Sequence, residues 1–205
     1  MLERQRTGLP GSQPSQNAEN TRVTIPIGDG PALGRADAPL LLVEFTDLQC
    51  PYCKRFNDSV LPELVKNYVE AGKLRITSRS LALPFHAQAE PAAHAVLCAH
   101  HQDKFWAMRE LLFSSNTSLG VSNFTHAAEL LKLDVPAFRA CIDGKAFAQQ
   151  LRKDSADAQA AGITGTPSFV LGKPAGGKVS GLLIVGARPF AFFDAEVKKL
   201  LSAPN

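Results

Sequence analysis

Cys50-Pro51-Tyr52-Cys53 places two thiols with two residues between them. At that spacing they can close a small disulfide ring, exchange it with another thiol, or supply half of a zinc site. The surroundings favour exchange. An apolar run, Leu40-Leu41-Leu42-Val43-Glu44-Phe45, predicts a short strand just before the pair, and helical spacing follows it. Cys50 therefore falls at a helix N-terminus, where unpaired backbone N–H groups and the positive end of the dipole favour thiolate over thiol. Pro51 suits the first helical position, because its missing N–H costs nothing there and its fixed φ is helical. Cys53 lies one turn further on, within reach of Cys50.

The elements that must position this pair are legible as patterns. Arg22 to Ile27 alternates through Val23, Ile25 and Ile27, as a short edge strand does. A turn region rich in Gly and Pro follows, through Gly28, Gly30, Pro31, Gly34 and Pro39. Leu40 to Thr46 is almost wholly apolar, as expected of a central strand covered on both faces. Val60, Leu61, Leu64, Val65, Tyr68 and Val69 then recur at helical spacing up to a stop at Gly72, with Pro62 predicting a kink about two turns beyond Cys53. Lys73 to Ser80 supplies the second strand of a right-handed β-α-β unit.

From about His86 to Gly162 the chain is helical throughout. His86 to His101 is rich in Ala, and Asp103 is placed to cap a stripe of Phe105, Met108, Leu111 and Leu112. Ser122 is placed to cap a further segment, Asp134 a short helix with Phe138, Cys141 and Ile142 inward, and Lys145 to Ala161 forms the last. Trp106, with Phe105 and Met108, reads as core packing of this block rather than a substrate-gripping patch. Ile163 to Leu171, a reversal over residues 172–177 and Val179 to Val185 then make a hairpin, and Arg188-Pro189 opens a closing helix.

At 205 residues the chain is one domain of generous size, or one carrying an insertion. A net charge of +3 from scattered basic residues gives no nucleic-acid footprint. No stretch reaches the roughly 18 apolar residues of a transmembrane helix. Met1 to about Asn20 is rich in Gln, Asn, Ser, Gly and Pro, resembles a disordered tail or linker, and carries no apolar core of an export signal. Four cysteines and five histidines leave two further readings. Cys98 and Cys141, 43 positions apart, are either buried thiols or a disulfide worth about 4 kcal/mol in the chain-entropy model, which persists only in an oxidising compartment. A metal site built from Cys50 and Cys53 with His86, His94, His100, His101 or His126 lacks a second CxxC or an HxxxH. His86, closest to the redox pair in sequence, is the exception among otherwise ordinary helix histidines. A third reading, a binding or chaperone module without turnover, leaves the retained redox pair unused.

Together, Ala38-Pro39, the run Val43-Glu44-Phe45-Thr46-Asp47-Leu48-Gln49 before Cys50-Pro51-Tyr52-Cys53, the helical block and Gly165-Thr166-Pro167-Ser168-Phe169 resemble the DsbA-type thiol-disulfide oxidoreductases. The resemblance runs from about Ile27 to Leu201. It implies an α/β, thioredoxin-like fold (β-α-β … β-β-α), formed by residues 21–85 and 163–205, with an all-helical domain inserted at 86–162. It implies that Cys50 is the exposed nucleophile, Cys53 the buried resolving thiol, and Glu44 a partly buried carboxylate relaying protons to Cys53. Pro167 becomes a cis-proline facing the pair, so that Thr166 and Pro167, with Pro51 and Tyr52, meet the substrate. Cys98 and Cys141 become a structural disulfide.

The same resemblance implies an extracytoplasmic monomer acting on reduced or misfolded proteins and reoxidised by a membrane quinone-linked partner of the DsbB or vitamin K epoxide reductase-like kind. Neither cofactor nor metal is required. Tyr52, where the strongest oxidants carry His, and Thr166 before the proline, as in isomerases, leave isomerase or reductase as the competing direction. Lys54 and Arg55 support a thiolate as exposed charges worth well under about 1 kcal/mol each, and Asp47 and Glu44 oppose it.

Overall fold

A six-stranded mixed sheet, in the order β1-β6-β5-β3-β4-β2, organises the chain. The computed structural model describes residues 21–114 and 119–203, so the expectation for the first 20 residues lies outside the described part. Strand β3 (Leu40–Thr46) is buried at every position, between parallel β4 (Leu74–Ser80) and antiparallel β5 (Ser168–Ala175). Its near-continuous apolar sequence is what such a position requires, because both faces are covered. β1 (Arg22–Pro26) is the edge strand beside β6 (Lys178–Val185). At the other edge a two-residue strand, β2 (Ala32–Leu33), pairs with β4, inside the stretch read as a turn region. Two residues carry too little periodicity to register as a strand.

Even residues of β3, Leu40 and Leu42, face a core built with α1 (Pro51–Ser59), α2 (Leu61–Leu64) and α8 (Phe190–Ser202). Phe56, Phe169 and Phe193 stack there with ring centroids 4.5 to 5.7 Å apart. Leu41, Val43 and Phe45 face the opposite core, beneath α7 (Ala148–Ala160). Pro62 breaks the helix rather than bending it. α1 ends at Ser59 and α2 restarts with Pro62 in its first turn, since proline has no N–H to bond the preceding turn. A π-helical turn, Val65–Val69, completes the segment.

Helices α3 (Ala89–His100), α4 (Phe105–Ser114), α5 (Val121–Leu130), α6 (Val135–Asp143) and α7 lie between β4 and β5 in the chain. Asp134 caps α6, accepting from Ala137 N–H at 3.0 Å. Ser122 lies inside α5, whose N-cap is Gly120, and Asp103 holds a left-handed turn (φ 59°) ahead of α4. Phe105 and Met108 are buried in this block, and Trp106 packs between it and the α1/α2/α8 core. The closing hairpin turns on Gly176 and Gly177 alone (φ 55° and 74°), the left-handed pair a two-residue turn demands. β5 therefore runs on through residues read as part of the reversal.

Candidate active site

Three loops converge where β3 ends. The Phe45–Ser168 pairing brings the chain before β5 against the β3–α1 loop. The parallel pairing of Thr46 with Ser80, and the bond from Leu81 N–H to Thr46 O (2.9 Å), bring the β4–α3 loop to the same point. Into this junction the sequence delivers Cys50, Cys53, Thr166, Pro167, Asp47 and His86.

Cys50 is the N-cap of α1 and Pro51 follows it in the first turn. Both sulfurs are thiols and both residues are buried, Cys53 completely; Cys50 is not the exposed residue expected, because the loop before β5 packs over it at Thr166. Their environments differ sharply. The Cys53 thiol donates to the Cys50 sulfur and holds it far below the ordinary thiol range, at about 5, helped by the backbone N–H groups of Cys53 and Tyr52 and opposed by burial. Burial and that same shared proton push Cys53 far upward. Asp47 N–H donates to Cys53 Sγ at 3.4 Å.

The Thr166–Pro167 peptide bond is cis, and Cys50 Sγ lies 3.5 Å from Thr166 O. That carbonyl can accept only from the protonated thiol. The Thr166 hydroxyl, buried without another partner, is free to donate to the thiolate. Pro167 is buried, its carbonyl accepting from Gly186 N–H (2.8 Å), while Pro51 and Tyr52 are exposed. Tyr52 (54% exposed), Phe85 (76%) and Val185 (62%) leave large apolar side chains in solvent on elements that reach the junction.

Glu44 is wholly buried, but both its oxygens are taken: Arg109 Nη1 and Nη2 donate to them at 2.7 and 2.8 Å. Arg109, on α4, lies against the rings of Trp106 and Phe113, 5.2 and 5.4 Å away, so this ion pair fastens the helical block to the central strand. Sequence reasoning missed Arg109. Its signal was an arginine inside the apolar stripe of α4, one turn after Trp106 and one before Phe113. Lys54 pairs with Asp58 (2.9 Å) and Arg55 lies over the Tyr52 ring. Asp47, read only as an opposing charge, is buried and bonded to His86 Nδ1 at 2.8 Å.

Cys98 and Cys141 form a disulfide joining α3 to α6. His100 and His101 pack edge-on against Phe105 and Phe147, and His126 is exposed on α5. Among the described residues no three His, Cys, Asp or Glu side chains come together to hold a metal ion, and no helix is long and apolar enough to cross a membrane.

The thioredoxin family model, described as "Thioredoxin", matches residues 27–177. A probable disulfide bond formation protein D of Bacillus anthracis is 30% identical over 147 residues, covering 67% of this chain and 67% of that protein. The Na(+)/H(+) antiporter NhaA 3 of Salinispora tropica is 33% identical over 137 residues, or 66% of this chain, and the chain spans only 20% of that protein's length. Among solved structures, oxidised BdbD from Bacillus subtilis matches with a TM-score of 0.76 at 24% identity, covering 90% of this chain and 100% of that one, a likeness of fold. With its mixed sheet, its helical insertion and two thiols paired beneath a cis-proline, the chain belongs to the thioredoxin family, as a DsbA-like thiol-disulfide oxidoreductase.

Proposed function

We propose that the Cys50-Pro51-Tyr52-Cys53 pair introduces disulfides into exported protein substrates. The observation that carries this reading is the opposed state of the two sulfurs, one held as thiolate and the other as thiol. In the oxidising direction a substrate thiolate attacks Cys50 Sγ, the Cys50–Cys53 bond breaks, and Cys53 leaves with the electron pair and takes up a proton. A second substrate thiolate then attacks the substrate sulfur of the mixed disulfide, and Cys50 departs as the stabilised thiolate. Whatever stabilises that leaving group makes the disulfide a better oxidant.

Thr166, with the cis bond after it, offers backbone to an extended substrate chain as a short added strand. Pro51 and Tyr52 flank the attacked sulfur on its exposed side. Glu44 supports the site by holding Arg109, since both of its oxygens are engaged; a relay to Cys53 would require that pair to open. Substrates are reduced or misbonded proteins outside the cytoplasm, met by a monomer, and a membrane quinone-linked reoxidase restores the disulfide. The Cys98–Cys141 bond supports an oxidising compartment.

The test is the equilibrium reduction potential of the Cys50/Cys53 pair in glutathione buffers, with Cys98 and Cys141 replaced by Ala. A value nearer the DsbA end, about −120 mV, is expected. One near about −270 mV, the thioredoxin end, would make the protein a reductase.

A further inference from the structure

Asp47 and His86 form a buried pair to which the exchange steps give no task. The Asp47 carboxylate is wholly buried, accepts from Gln49 N–H (2.8 Å) and Leu83 N–H (2.9 Å), and meets His86 Nδ1 at 2.8 Å. The backbone N–H of the same residue donates to Cys53 Sγ. One residue therefore touches the resolving sulfur on one side and an imidazole on the other. The His86 side chain is 16% exposed, with the Phe85 ring edge-on to it at 4.6 Å, so it connects the interior to solvent.

The buried carboxylate belongs to the residue whose backbone touches Cys53 Sγ, and a negative charge so close behind a pair that must itself carry one opposes it unless a cation offsets it. Neighbouring charges are already committed. Arg109 of α4, which lines a small enclosed cavity with Asp47, is bound by Glu44 of β3. Asp154 of α7 is bound by Arg79 of β4. On α1, Lys54 is paired with Asp58 and Arg55 covers Tyr52. Glu90, in the first turn of α3, is exposed and lies beside His94. The loop before β5 contributes the uncharged Thr166.

We propose that His86, held by Asp47, is a positioning residue whose charge sets the thiolate stability of the redox pair. Protonated His86 neutralises Asp47 and permits negative charge at Cys50. Neutral His86 leaves the carboxylate uncompensated and disfavours it. The proton is exchanged with solvent, and no bond between the pair and either sulfur forms or breaks. The proposal rests on Cys50 as nucleophile and adds control of its thiolate by the β4–α3 loop.

The experiment is thiolate absorbance against pH on the reduced protein, with Cys50→Ala subtracted, for wild type, His86→Gln, His86→Lys, Asp47→Asn and the double variant Asp47→Asn/His86→Gln. His86→Gln should raise the Cys50 midpoint by roughly half a unit, on the order expected of one partly screened charge nearby. Asp47→Asn should lower it, His86→Lys should leave it near wild type, and the double variant should return towards wild type. An unmoved His86→Gln midpoint, or a His86→Lys midpoint displaced as far as that of His86→Gln, overturns this proposal alone. A wild-type protein with no thiolate in the acid range overturns the exchange reading and this one with it.

Discussion

Cys50 and Cys53 sit where three loops meet at the start of a helix, whereas Cys98 and Cys141 join two helices of the inserted block. The second pair spans 43 residues and ties α6 to α3, a link whose effect falls on the unfolded chain. The first spans one helical turn and constrains almost nothing. Its two sulfurs are instead made unequal, one offered donors at a helix N-terminus and the other buried behind it. A cysteine pair becomes a redox centre when its environment is asymmetric, and a staple when it bridges a long loop.

The largest break in that comparison comes from Cys50→Ala, which should reduce disulfide exchange on a model substrate such as insulin to background while leaving the far-ultraviolet circular dichroism of the folded protein unchanged. Exchange that survived Cys50→Ala would remove the mechanism altogether. Arg109→Met comes next. Stripping the cation from wholly buried Glu44 should destabilise the fold by about 3–5 kcal/mol in urea titrations. Adding Glu44→Gln to it should recover part of that loss; no recovery would mean that Arg109 acts through its packing on Trp106 and Phe113.

Replacing both Cys98 and Cys141 with Ala should cost about 4 kcal/mol of stability, from loop-closure entropy, yet leave exchange within a few-fold of wild type. A loss of exchange with the fold intact would show the two pairs to be coupled.

The gentlest probe is pH, applied to the reduced protein in that Cys98/Cys141-free background. A Cys50 value of about 5, below the ordinary thiol range, means that its contribution is fully present above about pH 8.5 and is lost as pH falls towards 5. Stability should therefore rise with pH through that window by at most about 1.4 kcal/mol per unit. Cys53, displaced upward, opposes this only above about pH 8.5, where the unfolded thiol would ionise. The oxidised form, with neither thiol, should lack this slope, and matching slopes in the two forms would mean that Cys50 is not held as a thiolate.

Much of the site is local and could be read directly. The apolar run of β3, the proline after Cys50 and the helical period that follows are consequences of short-range chemistry. The Gly176-Gly177 turn and the Asp134 cap are of the same kind, because the residue type itself supplies the required φ or acceptor. Pro62 marked a helix discontinuity by its missing N–H, though it was read as a kink and the helix breaks there instead.

Tertiary structure alone decided who meets whom. Glu44 was visible as a carboxylate in an apolar strand, but its partner lies 65 positions away on α4, and only the docking of the helical block shows both its oxygens occupied. Asp47 and His86, 39 positions apart, become a pair because parallel β3 and β4 end side by side. The sequence by itself determined that two thiols stand at a helix start between a buried strand and a proline-bearing loop. That Cys50 is the thiolate was local as well, because its main donors are Cys53 and Tyr52 within the same turn; how deeply Cys53 is buried, and which charges surround the pair, depended on contacts between segments far apart in the chain, and no local pattern encodes either.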